Sequence, residues 1–76
     1  MGNRAQNPLS RRIRELRREN GWSMQNLSDL SGVSKSSINM YERGERRPKI
    51  EALTSIANAF GVTVDFLCGR TEKRRR

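Results

Sequence analysis

The residues best suited to chemistry lie in the stretch SGVSKSSINMYERGERRPK, residues 31–49. Lys35 offers an ammonium that can donate to guanine O6 and N7. Asn39 can donate and accept at once, the pattern that adenine N6 and N7 require. Ser36 bonds either a donor or an acceptor and so specifies little, while the Met40 thioether suits an apolar surface such as a thymine methyl. Arg43, Arg46, Arg47 and Lys49 follow as a cationic cluster fit to clamp phosphates, which gives affinity rather than sequence information. Ser23 and Gln25, further upstream, are weaker candidates for the opposite phosphate backbone. Each has a plainer alternative: a phosphate contact for Lys35, a solvated Asn39, a partly core Met40 and a solvated basic loop.

Composition supports a polyanionic partner. Sixteen Lys and Arg against eight Asp and Glu give the 76-residue chain a formal net charge of +8. Nucleic acid or an acidic membrane surface would answer that excess. The length allows one domain. Cys68 stands alone, so no intramolecular disulfide is possible, and a reducing cytosol is the simpler setting. With no histidine, the commonest zinc ligand and the commonest general base are both missing. Paired carboxylates, a metal cluster and a nucleophile–base set are also lacking, so neither an enzyme nor a bound metal or cofactor is expected. No apolar run approaches the ~20 residues of a membrane span, and residues 1–7 carry no signal-peptide core.

The elements that must position these residues read as five short helices. NPLSRRIRELRRENG forms the first, with Asn7 as cap, Pro8 at the first helical position and an apolar stripe of Leu9, Ile13 and Leu16. Arg11, Arg12, Arg14 and Arg18 on this helix read as a solvated face. WSMQNLSDLSG forms the second, capped by Ser23, stopped by Gly32 and buried through Met24, Leu27 and Leu30. VSKSSINMYERG forms the third, capped by Ser34 and stopped by Gly44. IEALTSIANAFG forms the fourth, buried through Ile50, Leu53, Ile56, Ala57 and Phe60. Thr63 caps a last turn, VDFL, ending at Gly69. This is an all-α, compact five-helix domain over residues 8–69. A flexible arm, 1–7, precedes it, and a basic, disordered tail, 70–76, follows. Trp22 covers one end of the core.

Only Gly32, Val33 and Ser34 separate the second helix from the third, and a connection that short makes the axes cross steeply, as in a helix-turn-helix over about residues 24–43. At about 100° per residue, Lys35, Ser36, Asn39, Met40 and Arg43 share one face of the third helix. Ser37, Ile38 and Tyr41 fall on the other, which must pack on the domain.

IRELRRENGWS, the GVSKSSI turn, YERGERRP and the closing LTSIANAFGVTVDFL resemble the lambda-repressor-like, or Xre-type, helix-turn-helix family. The sequence looks most similar to small immunity repressors of phages and mobile elements. Related controllers of restriction-modification systems and antitoxins share the same signals. The resemblance implies a third helix lying in the major groove of double-stranded DNA, with Lys35, Ser36 and Met40 at base-contacting positions and Asn39 between them. It further implies a buried ion pair between Arg17 and Glu42 that ties the first helix to the third. Three positions depart from the family pattern. Met24 stands where a phosphate-contacting glutamine is usual. Asn26 replaces a capping-box glutamate, so the second helix should start less firmly. Lys49 replaces a serine cap.

The resemblance also implies a homodimer reading two half-sites about one helical turn, ~34 Å, apart. Its dimer-contact candidates are Ala59, Val62, Val64, Phe66 and Leu67, each of which could instead be core. The expected function is a sequence-specific transcriptional repressor in the bacterial cytosol, binding a palindromic operator. The alternatives are an antitoxin that also grips a toxin, a restriction-modification controller, or the N-terminal DNA-binding module of a longer repressor. A protein antagonist would fit any of these. A cationic protein binding RNA or membrane is disfavoured by the buried stripes on the other helices.

Overall fold

In the computed structural model, which describes residues 7–75, the chain begins α1 (Pro8–Glu19) at a side-chain cap. Asn7 Oδ1 accepts the Ser10 amide at 2.8 Å, replacing a partner that the first helical turn cannot supply. Four helices follow: α2 (Met24–Ser31), α3 (Lys35–Glu42), α4 (Ile50–Phe60) and α5 (Val64–Leu67). The expected all-α, five-helix architecture is the observed one, and no strand occurs among the described residues. The expected N-terminal arm, Asn7 apart, lies outside them.

Caps set most boundaries. Ser34 Oγ accepts the Ser37 amide at 3.1 Å and Thr63 Oγ1 accepts the Phe66 amide at 3.0 Å. The second helix starts more firmly than Asn26 implied. Ser23 Oγ accepts the Asn26 amide and Asn26 Oδ1 accepts the Ser23 amide, both at 3.0 Å. The amide oxygen thus closes the capping box without the charge of a glutamate. Lys49, by contrast, gives α4 no side-chain cap. Gly32 ends α2 at φ 77°, a conformation that a side chain would strain, and turns the chain into α3 within two residues.

α1 packs against α3 and α5, α2 against α3 and α4, and α4 against α5. Ile13, Leu27, Ile38, Ile56 and Leu67 lie fully buried where these faces converge. Trp22 stacks on Phe60 at 5.5 Å between ring centroids and closes one end. Gly69 lies against the start of α1, where a β-carbon would come within 2.6 Å of Pro8 Cβ.

Two expectations need correction. Leu30 and Ile50 are 57% and 62% exposed rather than buried. Each sits at a helix end, one turn from a packed neighbour (Leu27 and Leu53), beyond the reach of the surrounding helices. Residues 70–75 of the basic tail lie along α1 and the α4–α5 corner. The Thr63 amide donates to the Arg74 carbonyl at 2.8 Å, and the Arg74 guanidinium forks onto the Glu19 carboxylate at 2.5 and 3.0 Å. Arg12 bonds the Phe66 carbonyl at 2.7 Å and reaches Glu72 at 3.3 Å. The Arg12 and Arg74 guanidinium carbons lie 4.0 and 5.3 Å from the Phe66 ring centroid. The basic run is held because the body offers it acceptors and an aromatic face.

Candidate nucleic-acid interface

α3 divides along its length into two faces. Ile38 is fully buried and Tyr41 and Glu42 nearly so, whereas Lys35, Ser36 and Arg43 are exposed. Met40 is 37% exposed and Asn39 is half-buried beside it. The outward row therefore contains an ammonium, a hydroxyl, an amide and a thioether. Ser37 is tied inward to the turn, its hydroxyl 2.9 Å from that of Ser34.

The loop after α3 carries the cations. Arg46, Arg47 and Lys49 are exposed and form no ion pair among the described residues. Arg43 does, reaching Glu45 at 3.0 Å, but that pair is solvent-exposed and easily exchanged for another anion. Ser23 and Gln25 sit at the start of α2. Both have intramolecular work: Ser23 in the capping box and Gln25 donating to Asp29 Oδ1 at 2.9 Å.

Three side chains of α1 hold the far end of α3. Ser10 Oγ donates to the Tyr41 carbonyl at 2.6 Å, and Arg14 Nη2 donates to the Glu42 carbonyl at 2.9 Å. Arg17 meets the Glu42 carboxylate with Nε at 2.7 Å and Nη2 at 2.9 Å, and Arg14 Nε lies 4.0 Å from the same carboxylate. Hydrogen bonding to Glu42 holds the Arg17 guanidinium protonated above its ordinary range, against the opposing effect of partial burial. Among the described residues, no buried side-chain nitrogen or oxygen lacks a partner.

The family model for helix-turn-helix proteins matches residues 13–67, which include all of α2, α3 and the turn between them. The chain belongs to the helix-turn-helix family. Its lambda-repressor-like character, expected from YERGERRP and the GVSKSSI turn, holds. The chain is 44% identical over 64 residues to the HTH-type transcriptional regulator AnsR of Bacillus subtilis, covering 84% of this chain and 55% of that one. It is 43% identical over 44 residues to the cryptic phage CTXphi transcriptional repressor RstR of Vibrio cholerae, covering 58% and 39%. Among solved structures it resembles the restriction-modification controller protein C.AhdI from Aeromonas hydrophila. The TM-score is 0.76 at 31% identity, covering 80% of this chain and 92% of that one. The chain spans about half the length of the first curated relatives it matches.

The structure gathers Lys35, Ser36, Asn39 and Met40 on α3, with Arg43 at its C-terminal cap and Arg46, Arg47 and Lys49 in the loop that follows. The dimer candidates do not stay together. Phe66 and Leu67 are buried in the monomer core, at 5% and 0% exposure, while Ala59, Val62 and Val64 are half-buried. Val62 and Val64 line an open groove of about 650 Å³ together with Thr54, Asn58 and the tail residues Thr71, Lys73 and Arg75. Sequence reading missed Ser10 altogether and treated Arg12 and Arg14 as solvated. The 10, 14, 17 spacing, which is one face of a helix, was the available signal.

Proposed function

We propose that the protein is a sequence-specific, double-stranded-DNA-binding transcriptional repressor with no enzymatic role, acting in the bacterial cytosol. The observation that carries this reading is the outward row of α3, Lys35–Ser36–Asn39–Met40, beside three exposed cations, Arg46, Arg47 and Lys49, that form no ion pair among the described residues of a helix-turn-helix chain. α3 enters the major groove. Lys35 and Asn39 read purine edges, Met40 covers a thymine methyl, and Ser36 adds a bond of low selectivity. Arg43, Arg46, Arg47 and Lys49 clamp phosphates on one side, with Ser23 and Gln25 at the α2 start as lesser contacts on the other.

So few base-reading side chains give one half-site little affinity. A homodimer on a palindromic operator doubles the contacts and adds the half-site spacing as information. Ala59, Val62 and Val64, beside the groove at the α4–α5 corner, are the residues proposed to meet across the two-fold axis. The likeness to a restriction-modification controller favours a second reading in which the same DNA-binding dimer controls a restriction-modification operon.

Selection of bound sites from random duplex DNA tests the proposal. Enrichment of a palindrome with half-sites about one helical turn apart is expected. Recovery of no common sequence would overturn it.

A further inference from the structure

The α1 contacts to α3 do more than join two helices. The last turn of α3 is already closed without them. The Arg43, Glu45 and Gly44 amides donate to the Asn39, Met40 and Tyr41 carbonyls at 3.1, 2.9 and 3.1 Å. Ser10 therefore adds a second hydrogen bond to a carbonyl that is capped already, and it does so from a buried position with 2% exposure. Arg14 takes the next carbonyl, that of Glu42, and Arg17 takes its carboxylate. Residues 10, 14 and 17 form one row on α1, so the row grips a single edge of α3 at successive points.

The apolar packing of Ile38 and Tyr41 beneath α3 is the less directional restraint, whereas hydrogen bonds to fixed carbonyls weaken steeply once misaligned. A rotation of about 10° about the helix axis moves a side-chain tip at the outer radius by ~1 Å. That displacement is enough to spoil bidentate contact with a base edge.

We infer that Ser10 and Arg14 are positioning residues that fix the rotation of α3 about its own axis, and so set DNA sequence preference without touching DNA. The inference rests on the proposed role of α3 as the reading helix. Both residues act through the backbone of Tyr41 and Glu42, at the opposite end of the helix from Lys35. Neither lies on the outward row. Their effect belongs in the discrimination between sequences, not in the affinity for phosphate.

The test measures binding of wild type, Ser10→Ala and Arg14→Met to the selected operator and to random duplex. Circular dichroism at the assay temperature gives the folded fraction of each. Each variant is expected to lose roughly ten-fold in the ratio of operator to random-DNA affinity, the scale of one disturbed bidentate pair. The salt dependence on random DNA should stay that of wild type, because no phosphate contact is removed. Loss of stability alone lowers both affinities by the same factor and leaves the ratio intact, so an unchanged ratio in both variants would overturn the inference. Arg14 lies at the surface edge, with its side chain 34% exposed, so Arg14→Met provides a folded variant should Ser10→Ala unfold. A wild-type protein that selects no sequence would instead remove the reading helix itself, and the inference with it.

Discussion

Arg17 closes on Glu42 from 25 residues away, Nε to one carboxylate oxygen and Nη2 to the other, at 2.7 and 2.9 Å. The partners are unequally shielded, with side chains 15% and 3% exposed. Removing the arginine leaves a nearly buried carboxylate with Arg14, 4.0 Å away, as its one remaining cation among the described residues. Removing the carboxylate leaves a cation that still donates to the Trp22 carbonyl at 3.0 Å. Arg17→Met is therefore expected to cost about 3 kcal/mol in urea denaturation, and Glu42→Gln less. The Arg17→Met/Glu42→Leu double variant should recover part of the loss, because an apolar pair escapes the desolvation that offsets the attraction. Additive losses would show that the pair does not act as a unit.

Lys35 stands at the first position of α3, exposed and without a side-chain partner among the described residues. Lys35→Ala should relax the preference at one position of each half-site, at about 1–3 kcal/mol if the contact is bidentate to guanine. Binding to a panel of single-base operator variants measures this. A uniform loss over the whole panel and over random DNA would make Lys35 a phosphate contact.

Arg46 gives the opposite signature. It is exposed in the loop after α3 and unpaired among the described residues. Arg46→Ala should weaken all sequences alike, and the slope of log affinity against log salt should become shallower by about one. A change in base preference would refute the clamp role.

The sequence disclosed most of what is fixed locally, the Ser23–Asn26 capping box excepted. Ser34, Thr63 and Gly32 mark helix ends through groups no more than a few residues away, and the 3.6-residue period separated Ile38 and Tyr41 from the outward row of α3. It failed where a distant partner decides. Ser10 meets Tyr41 across 31 residues and Arg74 meets Glu19 across 55; the 10, 14, 17 spacing puts Ser10 on one face of α1 but does not name its partner, and the tail contact leaves no periodic trace. An arginine on α1 looks the same in sequence whether solvated, as Arg11 and Arg18 are, or bonded, as Arg12 and Arg14 are. Periodicity also overreached at helix ends, since it marks a stripe but not how far the neighbouring helices extend over it.

That overreach has a measurable form in α2. Leu27 is fully buried, and Leu30, one turn on, is 57% exposed. Leu27→Ala should destabilise by about 2–5 kcal/mol through lost burial and the cavity left behind. Leu30→Gln should stay within about 0.5 kcal/mol of wild type. The comparison is made by urea denaturation. A loss at Leu30 comparable to that at Leu27 would mean that Leu30 is covered in solution.

Glu19 and Arg74 tie the final residues to α1, and both side chains are about half exposed. The hydrogen bond from Arg74 holds the Glu19 carboxyl below the ordinary glutamate range. Its ionised form is thus favoured in the folded protein over the unfolded chain. The stabilisation is fully present above the ordinary glutamate pKa and is lost as pH falls through the lowered value. Solvent screening keeps that contribution small, so the titration itself is the better readout than melting. Carbon-detected NMR of the Glu19 carboxyl should give a midpoint below those of unpaired glutamates. Arg74→Gln should return it to their range, with the Thr63 amide losing protection from hydrogen exchange as the tail detaches. A Glu19 midpoint that Arg74→Gln leaves in place would show that the tail does not rest on this pair.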